Sequence, residues 1–300
     1  MTKKRVGVLI VTFNRFSLLL EEIESIRKQS YQDFDIIVVN NDSTDGTLSW
    51  LMQQPDIITI TQPNLGGAGG FFTGMKYIAE NGYEYCWLMD DDVECDVNAL
   101  EVLLDRADGI SDLGFLCSRV FGVSGNLMNV PLVDDRFIQN HYPTWMDRID
   151  DNLIKVKAAT FVSVLVPTKN IIKFGLPIKE YYIWGDDYEF TFRLSQSLKS
   201  YCAFNSKVIH KRVQQAKLSF FAEQEKVRLG NYYYMLRNTY LNNKQYGSVK
   251  DKFINIVYIC YLLLYCVIHI DFFRLKIVIK AIWGILKFKR NVVFPSIKQD

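Results

Sequence analysis

Three successive acids, Asp90, Asp91 and Asp92, follow the apolar run Tyr85-Cys86-Trp87-Leu88-Met89. Adjacent carboxylates repel one another unless a cation neutralises them. Positions two apart share a face in extended backbone, so Asp90 and Asp92 can both reach one hard cation. Mg2+ or Mn2+ held by one or two carboxylates plus substrate phosphates is the usual arrangement for a phosphorylated ligand. A solvated acidic turn is the plain alternative. His210, one of 3 histidines, follows a short apolar run; it is either a structural imidazole or a third metal ligand. A second acidic group, Tyr181 to Phe190 (YYIWGDDYEF), sets Asp186, Asp187 and Glu189 beside Trp184 and three tyrosines. It offers a general base and a flat apolar platform for a sugar face. A helix start would lower the pKa of Asp187, whereas burial beside Trp184 would raise it. An N-capped amphipathic helix accounts for one of these acids but not for the cluster.

Gln62 to Phe71 (QPNLGGAGGF) carries four glycines in five positions. Glycine costs roughly 0.5–1 kcal/mol in a regular element and is favoured where backbone must approach a ligand or take positive φ. The segment therefore reads as a loop, not a packing element, opening a helix whose peptide N–H groups face a diphosphate or sugar. A flexible hinge is the alternative. Two further polar segments end apolar runs: Thr12-Phe13-Asn14-Arg15 and Asn40 to Thr47 (NNDSTDGT). A carboxylate in the latter can accept from a ribose or base edge, or act only as a cap and turn.

These residues need elements to present them. Val6–Val11, Asp35–Val39, Asp56–Thr61 and Glu84–Met89 read as strands; Phe16–Gln29, Ser43–Gln53 and Phe71–Gly82 read as helices between them. Such alternation implies an α/β fold with a mainly parallel, Rossmann-like sheet flanked by helices and right-handed crossovers. Ligands then bind beyond the carboxyl ends of the strands, where the polar segments lie. Strands are expected at Gly114–Val120 and Ala158–Val166 with a loop, Asn140–Asp151, between them; helices are expected at Asp187–Leu198 and Ser219–Asn243. The domains are expected as 1–212, divided into a nucleotide-sugar half (1–110) and an acceptor half (111–212), and a helical region over 213–300.

Over 300 residues, 49% hydrophobic and 23% charged side chains exclude a disordered or fibrous chain. The net charge of +2 gives no reason to expect a nucleic-acid partner, but residues 272–300 hold seven basic side chains and one acid, leaving −4 over residues 1–271. The six cysteines contain no CxxC pair and give no metal or disulfide pattern. The apolar stretch at Val6–Val11 is too short for a signal peptide, so a cytoplasmic location is expected. Phe253–Ile270 spans 18 residues, at the lower edge for a membrane-crossing helix, and Phe272–Lys289 intersperses basic and apolar residues as an interfacial helix does. Peripheral attachment through 253–290, with basic residues toward anionic lipid, is the favoured reading; a spanning helix and a buried helix pair are the alternatives.

The ensemble resembles a family 2 inverting glycosyltransferase of the GT-A fold, in its bacterial galactofuranosyltransferase-like branch. The matching segments are VTFNR (11–15), NNDSTDGT (40–47), NLGGAGGF (64–71), DDD (90–92), WGDDYEF (184–190) and RNTYL (237–241), in the family's order. The resemblance implies that Thr12, Arg15, Asp42 and Asp91 contact the nucleotide sugar, and that Asn64, Gly66 and Gly67 line its diphosphate and sugar. It also implies that Asp90, Asp92 and His210 hold Mn2+ or Mg2+, that Asp187 is the catalytic base, and that Trp184, Asp186 and Glu189 form the acceptor side. The expected donor is a UDP-sugar, galactofuranose above all, and the expected acceptor a glycan or lipid-linked glycan at the cytoplasmic face of the bacterial inner membrane. Related rhamnosyltransferases share the glycine-rich segment, so dTDP-rhamnose is the alternative donor. One carboxylate in line with the acceptor predicts single displacement with inversion through an oxocarbenium-like transition state. A phosphoryl-transfer enzyme would need Lys or Arg near the glycines, and residues 62–75 have none. A carbohydrate-binding protein without catalysis is the alternative of another class.

Overall fold

The computed structural model describes residues 4–212 and 219–296. The domain boundary expected at 212/213 adjoins residues outside that range, and Lys298 and Asp300 of the basic tail lie outside it. The first part of the chain runs β1 (Val6–Thr12), α1 (Phe16–Arg27), β2 (Phe34–Asn40), α2 (Thr47–Leu51), β3 (Ile57–Thr61), α3 (Gly66–Glu80), β4 (Tyr85–Asp90), β5 (Val93–Cys95) and α4 (Ala99–Asp108). Then come β6 (Leu113–Gly122), β7 (Leu132–Val133), the small hairpin β8 (Ile138–Gln139) and β9 (Tyr142–Pro143), β10 (Leu153–Ala158), β11 (Val164–Pro167), α5 (Thr168–Phe174), α6 (Asp186–Ser195) and β12 (Lys199–His210). Three helices follow: α7 (Lys226–Tyr246), α8 (Val249–Ile268) and α9 (Phe272–Lys287).

One sheet has the order β3-β2-β1-β4-β11-β6-β12-β10-β7, with β5 paired to β12. Its first four strands are parallel, as the strand–helix alternation predicts. Beyond β4 it is mixed: β11 runs antiparallel to both neighbours, and β6 and β12 are parallel. A continuous β-branched run suits a strand covered on both faces, and β1 is buried along its whole length. Val6, Val8 and Ile10 face a core with α1 and α4, while Leu9 and Val11 face a second core with α3, α5 and α6.

Four expectations shift. The single strand over Ala158–Val166 is two strands separated by residues 159–163; Phe161 and Val162 of that turn are buried, so the apolar pattern runs unmarked through the break. The helix over Ser43–Gln53 shrinks to α2, entered through Gly46 at φ 91°. Ser219–Asn243 yields only α7, which starts at Lys226 because Glu225 accepts from the Val227 and Arg228 N–H groups. The Asn140–Asp151 loop contains β9 and a short 3-10 turn at Ile149–Asp151.

α7, α8 and α9 share their own apolar cluster around Phe220, Tyr232, Leu262 and Val278. Past α9 the chain returns across the sheet domain. The Leu176 N–H donates to the Val293 carbonyl at 2.8 Å, and the Ser296 N–H to Glu80 Oε1 at 2.9 Å.

Candidate active site

Parallel register brings four strand ends level: Thr12 pairs with Asn40, Asn40 with Thr61, and Val11 with Asp90. The loops after β1 and β2 are tied together there. The Asn14 N–H donates to Ser43 Oγ at 3.0 Å, the Thr44 N–H donates to Asn14 Oδ1 at 2.7 Å, and the Phe16 N–H donates to Asp45 Oδ2 at 3.0 Å. Thr12 is buried, whereas Asp42 is exposed and takes φ 63°.

Asp90 closes β4, and Asp92 immediately precedes β5. β12 reaches the pair because His210 lies opposite Val93 and the Lys211 N–H donates to the Asp92 carbonyl at 2.7 Å. Ligand atoms of Asp90, Asp92 and His210 all lie within 4.8 Å of one another. Asp91 is not among these three; it accepts from the Phe13 N–H at 3.3 Å and from Arg15 Nη1 at 3.2 Å. Arg15 Nη1 also donates to Asp92 Oδ2 at 2.6 Å. Asp92 Oδ1 is 3.0 Å from His210 Nε2 in a geometry that makes no hydrogen bond, so this buried oxygen lacks a donor. An orphaned buried carboxylate oxygen, a second carboxylate and an imidazole nitrogen form a donor set suited to a divalent cation.

The charges follow from that crowding. Burial, then Asp92, pushes Asp90 up to about 8. Burial raises Asp91 to about 6 against the pull of Arg15. Burial opposes the charge of Asp92, but His210 and Arg15 overcome it and hold this carboxyl below the ordinary range. Burial likewise opposes a charge on His210, and Asp92 with Asp90 outweighs it. Glu22 of α1, buried behind the cluster, is pushed well above the carboxylate range by burial and by the three aspartates.

The glycines are not a loop. Gly66 to Gly70 begin α3. Gly66, at φ 73°, has no room for a Cβ against the Tyr182 carbonyl, and a Cβ on Gly70 would strike Val11 of β1. Packing against the strand therefore accounts for part of the run. Asn64 Oδ1 accepts from the Gly66 N–H at 2.9 Å, Asn41 Nδ2 donates to the Gly66 carbonyl at 3.2 Å, and the Ala68 N–H donates to the Tyr182 carbonyl at 3.1 Å. Gly67 has nothing within 4 Å of where its Cβ would stand.

Those last contacts join the strand ends to the turn before α6. Tyr182, Trp184 and Gly185 all have positive φ (65°, 61° and 93°), a strained course for the two non-glycine residues. α7 holds it in place. Asn238 Nδ2 lies 3.0 Å from the Tyr181 carbonyl, 3.2 Å from that of Ile183 and 2.7 Å from that of Trp184; Asn242 Nδ2 donates to the Gly185 carbonyl at 2.8 Å. Asp186 and Asp187 open α6, and Asp187 Oδ1 accepts from the Tyr188 N–H at 2.7 Å. Burial raises Asp187, and burial with the neighbouring Asp187 pushes Asp186 up to about 8. Trp184 meets Tyr232 edge-on at 5.5 Å between ring centroids. Glu189 turns away from this mouth: its buried carboxylate accepts from Arg193, Arg290 and the Tyr246 hydroxyl.

Two functional candidates had no signal of their own in the sequence. Asn129, at φ 46°, accepts from His210 Nδ1 at 2.9 Å while its Nδ2 donates to Thr160 Oγ1 at 3.1 Å. That fixes a proton on His210 Nδ1 and leaves Nε2 facing Asp92. Asn238 lies within RNTYL, but the carbonyls its Nδ2 reaches are more than fifty residues away along the chain.

The model of the family described as Glycosyl transferase family 2 matches residues 7–158. Galactofuranosyltransferase GlfT1 of Mycobacterium tuberculosis is 27% identical over 198 residues, 64% of this chain and 65% of that protein. Its namesake from Mycolicibacterium smegmatis is 34% identical over 105 residues, 34% of this chain and 35% of that protein. The matched region thus spans less than two thirds of either relative. Among solved structures, S. aureus TarS has a TM-score of 0.57 at 15% identity, covering 80% of this chain and 40% of that one. GalNAc-T7 with UDP, GalNAc and Mn2+ has a TM-score of 0.56 at 13% identity, covering 85% and 55%. At such identities the likeness shows the GT-A fold.

Proposed function

Because the chain belongs to glycosyl transferase family 2, we propose that it is an inverting galactofuranosyltransferase, moving galactofuranose from UDP-galactofuranose to a hydroxyl of a glycan or lipid-linked glycan in cell-surface polysaccharide synthesis. What supports this reading is an acidic cluster and its hydrogen-bonded link to the turn that carries a second acidic group. Asp90, Asp92 and His210 gather at the strand ends, and the turn leading to Asp187 is hydrogen-bonded to the first residues of α3 beside them. The donor sugar is supported by the names of the relatives.

Thr12, Asp42 and Arg15 receive the nucleotide, with Asp91 holding the Arg15 guanidinium in place. Asn64 and the open edge at Gly67 face the diphosphate and sugar. Asp90, Asp92 and His210 hold Mn2+ or Mg2+, which offsets the negative charge gathering on the departing UDP. Asp187 takes the proton from the acceptor hydroxyl as its oxygen bonds to the anomeric carbon, and the bond to the UDP oxygen breaks on the opposite face. Trp184 offers its ring to the acceptor sugar, and Asp186, neutral at pH 7, can donate to it. Glu189 serves the acceptor side by fixing α6. The outward apolar face of α8 and the basic residues of α9 attach the enzyme to the cytoplasmic face of the bacterial inner membrane.

The test measures UDP release by the full chain from UDP-galactofuranose, UDP-galactopyranose and dTDP-rhamnose (dTDP for the last), with Mn2+ and with EDTA. Mn2+-dependent release from UDP-galactofuranose is expected. Preference for dTDP-rhamnose would overturn the donor, and absence of release from every donor would favour a carbohydrate-binding protein.

A further inference from the structure

Where α7 meets α9 an open groove of about 350 Å³ is lined by Tyr233, Arg237, Lys280, Trp283, Lys287 and Phe288. Three cations face it and no carboxylate does. Arg237 is only 6% exposed. Its hydrogen bonds go to neutral oxygens, the Asn238 side chain, the Tyr233 hydroxyl and the Glu180 and Tyr181 carbonyls, and it lies over the Tyr233, Tyr234 and Phe288 rings. Lys280 Nζ stands 4.7 Å from the Tyr233 ring centroid and Lys287 Nζ 4.6 Å from that of Trp283. Among the described residues neither lysine, nor Arg237, forms an ion pair. Gly284 makes the approach possible, since a Cβ there would come within 2.7 Å of the Tyr233 hydroxyl.

Arg237 has no carboxylate to offset its charge, so with Lys280 and Lys287 it gives the groove a positive potential that a multiply charged phosphoryl group would meet, the two lysines supplying the contacts. The apolar side is provided too. Trp283 is 58% exposed and Leu286 77% exposed, continuing the groove's aromatic wall on the same face of α9. We propose that this groove binds the phosphoryl head of an amphiphile, its chain lying along Trp283 and Leu286. This rests on the membrane-seeking, lipid-linked-acceptor reading above and gives it a place. Arg237 links the groove to the Glu180 and Tyr181 carbonyls, and its neighbour Asn238 holds the turn to Asp187. A lipid-borne acceptor is thereby anchored beside the catalytic turn. A phospholipid headgroup offers the same chemistry from the bilayer.

The probe is farnesyl diphosphate, titrated below its micellar concentration into the full chain by calorimetry. Saturable binding is expected, weakened at least tenfold in Lys280→Gln/Lys287→Gln and retained in Lys276→Gln/Lys289→Gln, which removes one cation from α9 and one just past its end, both outside the groove lining. Equal melting temperatures for the two variants establish that both fold. Equal weakening by both pairs, or no weakening by the first, would overturn the groove as a site. Displacement by dihexanoyl-phosphatidylglycerol assigns the groove to bilayer lipid; displacement only by inorganic pyrophosphate assigns it to a diphosphate-linked acceptor. Release of UDP from UDP-galactofuranose is read separately. Its loss with farnesyl diphosphate still bound would sink the reaction and spare the groove.

Discussion

Asp187 works as a base only if nothing else at the mouth can replace it. Asp187→Asn keeps the side chain's shape but cannot take a proton, so UDP formation should fall by about 10³-fold with UDP affinity, read by calorimetry, within a few-fold. Retained turnover would remove Asp187 from its role. Asp186 has a different signature. Its carboxyl is pushed up to about 8, so it is neutral at pH 7 when folded and ionised when unfolded. Folding then takes up a proton between the ordinary carboxylate value of about 4 and about 8. The resulting stabilisation is complete at low pH and is lost as pH rises through the folded value. Melting temperature should therefore fall from pH 5.5 to 9, and Asp186→Asn should flatten part of that slope; an unchanged slope would contradict it. Asn129 acts through its neighbour. Asn129→Leu removes the acceptor that sets the His210 tautomer and should weaken Mn2+ binding, measured by electron paramagnetic resonance, about 10–100-fold. Unaltered Mn2+ affinity would show that Asn129 has no part in holding the ligand.

The turn before α6 owes its course to one amide on another element. Asn238→Ala would take the side-chain donor from the part-buried Ile183 and Trp184 carbonyls, costing about 1–3 kcal/mol. It should lower kcat while leaving KM for the donor nearly unchanged. A fall in melting temperature with kcat intact would make Asn238 a purely structural residue. This dependence marks the limit of what the chain discloses unaided. The first four strands of the sheet were readable because β-branched runs suit burial on both faces; Asp90 and Asp92 do approach each other, but through the turn between β4 and β5 and not by strand alternation. The glycine run misled because close packing of Gly70 on Val11 and the positive φ of Gly66 leave the same mark as a flexible loop. The partners of Asn129 and Asn238 stayed hidden because a single polar residue carries no period, and its importance arises from pairing across distant segments. Glu189 read as a site residue for a related reason: an acid held by Arg193, Arg290 and Tyr246 looks in sequence like one offered to a ligand.

At the scale of the molecule, the sheet domain and the helical region differ in how they meet water. Among the described residues α8 alone is long and apolar enough to cross a membrane, with a mean hydropathy of 1.7 and only 17% of its apolar window buried. Its Phe253, Ile254, Leu264 and Val267 face outward, which is not the arrangement of a buried helix pair. Surface attachment predicts that alkaline carbonate releases the protein from membranes without detergent; retention until detergent is added would instead mean that α8 spans. The returning tail adds a constraint. Arg290 reaches Glu189 on α6, whose first turn carries Asp187, and the backbone of Val293 is tied to Leu176. A soluble version made by clipping the chain before α8 would therefore lose a rivet of the candidate site together with its greasy surface. Solubilising substitutions on the outer side of α8, with any purification handle kept away from the C-terminus, would preserve the clasp that truncation destroys.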